Sequence, residues 1–406
     1  MKYVAIFHGN LNYAYLDEKR YEFVIRESYE LILDTMREEF PDQKYVFEAS
    51  GFTLDQIARL TPDVLAKLKA AIASGQCEFM GSPYAHIMMS NFPEEDCYWS
   101  LEFSQEAYER ILGSRIRSGW NPECGWNRWV PHTFKRAGFK QITLDFDAFG
   151  VSARPDIRKV EYNPDKSMFY GLDLPWFDLP GDEKAIHFPF KNVVPGLKGF
   201  ARTDRVCQAG VRYFVNMVSY EDYMALIKKY SGTGEGALIM FADDAEYIGT
   251  TAWYFLKYHN QPERVFEQNP DSREKLIRLI GSCLDLGGQF VTFDHACNKL
   301  PALEEKYQCE DLLAWHRTWA TAWSVTPASK QYDPICDRIR EKIMLAEKQG
   351  KTDAERALVR KAWYHLTCAE NSDGRWPPPP LEVHPVNRAF VEGHIAQAQK
   401  ALEWVK

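Results

Sequence analysis

The sequence predicts an α/β fold followed by a helical module. Three observations carry that expectation. Over the first 300 of 406 residues, short β-rich apolar runs alternate with amphipathic helical patterns, which calls for βα units around a parallel sheet. Beyond about residue 300 the strand signals vanish and helical patterns take over. Apolar residues make up 45% of the chain and charged residues 26%, globular averages that exclude a disordered, collagenous or coiled-coil chain. At about 150 residues per domain, the length suits two or three domains, or an α/β barrel plus one small module.

The elements follow in order. Residues 3–7 open as a strand. Residues 21–40 read as a helix stopped by Pro41, and 45–47 as the second strand. Thr61-Pro62-Asp63 predicts an N-cap with proline at the first helical position. Val64, Leu65, Leu68 and Ile72 then form one apolar face, which Gly75 ends. Residues 77–80 are the third strand and 94–112 the next helix. Further strands are expected at 115–120, 141–144, 185–190, 238–241 and 290–293. Helices are expected over 303–351, 352–368 and 387–406. The prolines 377–380 cannot continue a helix and favour polyproline II. Residues 232–236 are Gly-rich but precede a strand, so they read as a loop, and no dinucleotide or phosphate-loop fingerprint occurs.

Charge and cysteine content narrow the function. Lys plus Arg number 49 against 57 Asp plus Glu, a net charge of −8, which argues against a nucleic-acid partner. The longest apolar runs, such as 237–242, are strand-sized and too short to span a bilayer. The first residues lack a signal-peptide pattern. The nine cysteines are odd in number and form no CxxC pair, so reduced thiols and a cytoplasmic location are expected. Twelve Trp supply a large core and are also side chains on which sugar rings stack.

In βα barrels the active site lies at the C-terminal ends of the strands. The polar residues there are His8 and Asn10, Glu48, residues 82–86, Glu123, Asp145 and Asp147, Lys191, the trio Asp243, Asp244 and Glu246, and Asp294 with His295. Acids dominate, the opposite of a phosphate site. Glu123 ends a strand, follows a proline and lies between Trp120 and Trp126, surroundings that strip water from a carboxylate and let neighbours set its pKa. The competing role is a structural loop. The acids at 243, 244 and 246 directly follow an apolar run. A helix N-terminus would favour acids, yet it does not forbid Asp244 from facing the barrel mouth. Mutual repulsion of adjacent acids raises a pKa toward the neutral range that a general acid needs. Glu123 and Asp244 together would form the carboxylate pair of glycoside hydrolysis.

Four segments together resemble glycoside hydrolase family 57, whose members act on α-glycosidic bonds. The family's third motif, Gly-x-Trp-x-Pro-Glu, is similar to Gly119-Trp120-Asn121-Pro122-Glu123, one residue shorter before the Trp. The fourth, Asp-(Ala/Gly)-Glu followed by an aromatic or basic residue and then Gly, is similar to 244–249. The second is matched by Ser82-Pro83-Tyr84-Ala85-His86, and the first, a His near the N-terminus, by Phe7-His8-Gly9-Asn10. Asn371-Ser372-Asp373 with Trp376 is similar to a Ser-Asp-Trp element of the family's helical region. Where the family has His-Gln-Pro, this chain has His8-Gly9-Asn10. Where it has Pro after the second-motif His, this chain has Ile87.

The resemblance implies a distorted (β/α)7-type barrel over 1–300, with one of the eight strand candidates outside it. A helical module over 301–406 would contribute to the active-site rim. It implies a retaining glycoside hydrolase or transglycosylase on α-glycosidic bonds, in an α-glucan or α-galactoside. Glu123 is the implied nucleophile and Asp244 the acid/base, with carboxyl groups about 5–5.5 Å apart. His8, Asn10, His86, Trp120, Trp126, Trp376 and Asp373 are the implied substrate contacts. Trp253 reads as packing, Asp145 and Asp147 as turn residues. No metal or cofactor is expected, and an oligo- or polysaccharide is the expected partner.

Two rivals remain open. A metal-dependent deacetylase on a similar barrel would use His8, Asp145 or Asp147, and His86 around a divalent cation, although no His-x-x-x-His pair occurs. A sugar-binding protein without turnover is the other.

Overall fold

The computed structural model describes residues 1–146, 184–232, 234–251, 266–304, 323–324, 326–350, 352–376 and 383–405. Asp147, Trp253, the prolines 377–380 and much of the helix expected over 303–351 lie outside them.

The strands are β1 (Lys2–Gly9), β2 (Tyr45–Ser50), β3 (Cys77–Ser82), β4 (Ser118–Gly119), β5 (Gln141–Asp145), β6 (Phe190–Val194), β7 (Leu197–Arg202), β8 (Ala237–Asp244) and β9 (Gln289–Phe290). They form one curled sheet in the order β6-β7-β5-β4-β3-β2-β1-β8, with β9 beside the start of β1. The ladders along β7-β5-β4-β3-β2-β1-β8 are parallel, and β6 folds back antiparallel on β7. The path therefore holds seven parallel strands plus a hairpin strand. β7 packs against β8, so the sheet curls into a distorted (β/α)7 barrel.

Period-two alternation sorts each strand between two cores. In β1, Tyr3, Ala5 and Phe7 face the outer helices, whereas Val4 and Ile6 face inward with Val46, Met80, Trp120, Phe200 and Ile239. His8 continues the inward series and ends it at the barrel mouth.

Three strand expectations need correction. Residues 185–190 are mainly a helical turn, Lys184–His187, and the strand begins only at Phe190. The parallel strand of that region is β7, which the sequence reading missed. The 290–293 strand stops at Phe290, because Thr292 caps a helix, Phe293–Lys299, through the His295 N–H. The 115–120 strand shrinks to Ser118–Gly119. The 21–40 helix is present but carries a π-helical stretch, Ile25–Glu30.

The C-terminal helices are Pro327–Gln349, Asp353–Ala369 and Pro385–Ala401. Their apolar faces share a core with Tyr84, Ala85, Phe103 and Ala107, the last two on the barrel helix Glu94–Leu112. The C-terminal module therefore docks beside the second-motif loop. Behind that seam, Arg340 is pinned between the buried carboxyls of Asp96 (2.6 Å) and Glu370 (3.1 Å).

Candidate active site

The parallel register places one residue from each strand end in a common inward layer. His8 pairs with Glu48 on one side and with Asp244 on the other, and Asp145 pairs with Arg202. A bulge in β8 sets this row. Val4 pairs with Ile239 but Ala5 with Phe241, so Met240 is an extra residue and the inward phase shifts to Ala242 and Asp244. Without the bulge Asp243 would stand opposite His8.

His8 is buried and its Nδ1 hydrogen-bonds the Glu48 carboxylate. Burial alone would push the imidazole down, but Glu48, with Asp244 and Glu246 behind it, carries its pKa up to about 10. His8 is therefore a cation whose Nε2 lies 3.9 Å from Asp244. The His86 ring stacks on it at 4.9 Å, and the Trp120 ring at 5.1 Å. Burial and the His8 charge hold His86 well below the usual value, as a neutral imidazole. Its Nδ1 bonds the Ser372 hydroxyl at 3.0 Å, and its Nε2 has no partner.

Glu123 arrives on a tight turn after β4. The Trp120 N–H donates to the Gly81 carbonyl at 2.8 Å, extending the β3–β4 pairing. Pro122 then starts a 3₁₀ turn, and both Glu123 (φ 54°) and Cys124 (φ 50°) sit in the left-handed region. Two successive side-chain residues there are strained and must be held by their surroundings. The turn aims the Glu123 carboxylate at the histidines, 3.8 Å from His86 Nδ1 and 3.5 Å from Ser372 Oγ.

The two carboxylates thus flank one stacked histidine pair, each partly open to the mouth, with 25% and 23% of the side chain exposed. Burial, then the charges of Asp373 and Asp244, push Glu123 up to about 8. Burial and Asp243 push Asp244 up to about 7, against the lowering pull of His8. Glu123 thus holds its proton to a higher pH than Asp244.

The C-terminal module completes the wall. Asn371 closes its own turn by accepting from the Gly374 N–H at 2.6 Å. The Ser372 N–H donates to the His86 carbonyl at 3.0 Å, and Asn371 bridges Ile87. Asp373 accepts from Asn10 Nδ2 at 2.9 Å and from the Ala14 N–H at 2.8 Å. The Asn10 N–H donates to Glu246 at 2.7 Å, a bond that proline at this position could not make. The Asn10 amide is engaged by the protein on both atoms, since its Oδ1 accepts from the Asn12 N–H at 3.1 Å.

His8, Asn10, His86, Trp120, Glu123, Asp244 and Asp373 therefore cluster at the barrel mouth. Trp126 is placed in the main apolar core, and Trp376 stacks on Trp323 at 4.8 Å. Asp294 does not reach the mouth. β9 pairs with the start of β1, and Asp294 bonds Glu78 and Gln141 at the opposite end. Among the described residues no cluster of three or more His, Cys, Asp or Glu has metal-holding geometry. Glu48, Glu246, Ser372 and Arg202 stand beside the site residues. The first three are signalled by their strand ends or motifs but not as substrate contacts, whereas Arg202 is hidden in the sequence with its strand.

The model of glycosyl hydrolase family 57 matches residues 2–272. The chain belongs to glycosyl hydrolase family 57. Among curated relatives, an α-amylase of Pyrococcus horikoshii is 24% identical over 237 residues, 57% of this chain and 32% of that protein. A 4-α-glucanotransferase of Thermococcus kodakarensis is 27% identical over 250 residues, 61% of this chain and 33% of that protein. The chain thus matches about a third of the length of these relatives. Among solved structures, a family 57 branching enzyme from Thermococcus kodakaraensis superposes with a TM-score of 0.72 at 12% identity, covering 98% of this chain and 90% of that one. The 4-α-glucanotransferase of Thermococcus litoralis gives 0.68 at 16% identity, covering 99% and 60%. At these identities the likeness is one of fold. No described helix is long and apolar enough to cross a membrane.

Proposed function

We propose that this family 57 chain is a retaining glycosidase or transglycosylase acting on α-glucans. The observation that carries the reading is the approach of Glu123 and Asp244 to one stacked histidine pair from different strands, both carboxyls being pushed up by burial and by neighbouring acids. A double displacement needs the charge on Glu123 and the proton on Asp244, the reverse of the order of their raised values, so substrate binding must move the proton from one to the other. The charged Glu123 oxygen attacks the anomeric carbon while the glycosidic C–O bond breaks and the leaving oxygen takes the Asp244 proton. Water or a sugar hydroxyl then attacks the glycosyl–Glu123 ester, giving its proton to Asp244 and releasing the carboxylate. In this reading His8 and His86 bond sugar hydroxyls, which the unpartnered His86 Nε2 supports. The names of the relatives, α-amylase and 4-α-glucanotransferase, favour glucan over galactoside.

The test is turnover of maltoheptaose, with product sizes and anomers followed by NMR. The α-anomer should form first, larger products would mark transfer, and Glu123→Gln should lose at least about 10³-fold in kcat. Initial release of the β-anomer, or a Glu123→Gln protein as fast as wild type, would overturn the reading.

A further inference from the structure

Arg202 ends β7 on the inward face, opposite Asp145 in the ladder. Its guanidinium is buried and spends its donors on two different segments. Nη2 donates to Asp204 at 2.6 Å, at the start of the Asp204–Phe214 helix. Nη1 donates to the sulfur of Cys124 at 3.2 Å. Around it stand Asp145 and Asp243, each at 3.8 Å, and Cys207. One cation thus faces three carboxyl groups drawn from β5, β8 and a helix.

The contact with Cys124 falls on the strained part of the site. Cys124 and Glu123 both hold positive φ, a conformation that persists only where the surroundings over-determine it. The backbone bonds of the turn close it on itself, from the Cys124 N–H to the Asn121 carbonyl (3.0 Å) and from the Gly125 N–H to the Pro122 carbonyl (3.0 Å). Neither fixes the turn relative to β8. Arg202 does, because the same guanidinium that grips Cys124 lies beside Asp243, the residue before Asp244.

We propose that Arg202 is a positioning residue that ties the Glu123–Cys124 turn to the Asp243–Asp244 strand end, fixing the distance between the two reacting carboxylates. The inference rests on the proposed roles of Glu123 and Asp244, and it concerns a side chain that touches neither the sugar nor the reacting atoms. A long-range clamp of this kind acts on kcat, because a displacement of about 1 Å between reacting groups costs about 10²-fold in rate.

The test compares the full chain with Arg202→Ala, Arg202→Lys, Cys124→Ala and Glu123→Gln on maltoheptaose. Arg202→Ala should lose about 10²-fold in kcat with KM nearly unchanged. Guanidinium chloride at a low, non-denaturing concentration should restore part of that rate saturably, whereas sodium chloride at equal ionic strength should not. Arg202→Lys, whose single ammonium reaches one partner, should fall between. Cys124→Ala keeps the turn's backbone and the cation, and should lose about tenfold in kcat. Wild-type kcat in either Arg202→Ala or Cys124→Ala overturns the inference, and if Arg202→Ala fails to fold, Cys124→Ala decides. A wild-type protein inert on maltoheptaose, or a fast Glu123→Gln, instead sinks the reading of the site. Normal kinetics at positions 202 and 124 beside a dead Glu123→Gln sinks this inference alone.

Discussion

Asp373 shows how a residue remote in sequence sets the chemistry of the pocket. Its carboxylate is held by Asn10 and by the Ala14 N–H, and its charge is the largest charged influence raising Glu123 after burial itself. It also raises Asp244. With the pair at about 7 and about 8, the singly protonated form is most abundant between those values. A bell-shaped kcat/KM profile should therefore peak near neutral pH, well above the range of ordinary carboxyls. Asp373→Asn removes a negative charge while keeping an amide oxygen that can accept from the Ala14 N–H. Loss of that charge makes each carboxyl easier to ionise, so both limbs should move to lower pH, and the alkaline limb, set by Glu123, should move most. An unshifted profile in Asp373→Asn would show that its charge does not reach the pair.

At the scale of elements, the sequence was most legible where a local rule decides the outcome. The Glu94–Leu112 helix was read correctly at both ends, because Pro93 precedes it and Gly113 takes the left-handed C-terminal position at φ 85°. Pro62 marks its helix as the first helical residue, although Thr61 before it makes no side-chain cap. β7 is hidden because Leu197–Arg202 contains Gly199 and two cations, and its burial comes from partner strands and helices remote in sequence. Once β7 was missed, Arg202 was missed with it. The β8 bulge was equally invisible, since it exists only relative to the register of β1. Without it, spacing alone cannot choose between Asp243 and Asp244; the motif made that choice. Gly249, the last residue of the fourth motif, links two elements that the sequence treats as unrelated. A Cβ there would sit 1.8 Å from the Glu27 carbonyl oxygen, in the π-helical stretch Ile25–Glu30. The Gly249 N–H donates to Ser28 Oγ at 3.1 Å, and that hydroxyl donates to the Glu246 carbonyl at 3.0 Å. Gly249→Ala should force the stretch away from the loop after β8. A loss of about 1–3 kcal/mol is expected from overpacking of this kind, read as a lower urea midpoint, together with a lower kcat because Asp244 lies at the head of that loop. A variant as stable and active as wild type would show that the stretch yields freely.

For the molecule as a whole, the feature most open to measurement is its store of raised carboxyls. Burial lifts Glu78 to about 7 at the end of the barrel opposite the mouth, and it lifts Glu123, Asp244 and Glu246 to about 8, 7 and 8 at the mouth. The folded chain therefore keeps protons that the unfolded chain releases near 4.5 for the glutamates and 3.8 for Asp244. His8 acts in the same direction, since Glu48 keeps it protonated up to about 10 whereas an unfolded histidine loses its proton near 6.5. Each retained proton lowers stability by about 1.4 kcal/mol per pH unit as pH rises between the unfolded and folded values. The melting temperature should accordingly be highest on the acid side of neutrality and fall as pH rises toward 8. Glu78 isolates this effect, because it lies far from the chemistry, bonded to Ser118 and to the Asp294 N–H. Glu78→Gln imitates its protonated form at every pH. It should melt close to wild type at pH 5, melt higher than wild type above pH 7, and leave kcat on maltoheptaose unchanged. Parallel melting curves for the two proteins from pH 5 to 8 would mean that Glu78 ionises in the folded barrel as readily as in water, and that the burial of its carboxyl carries no energetic cost.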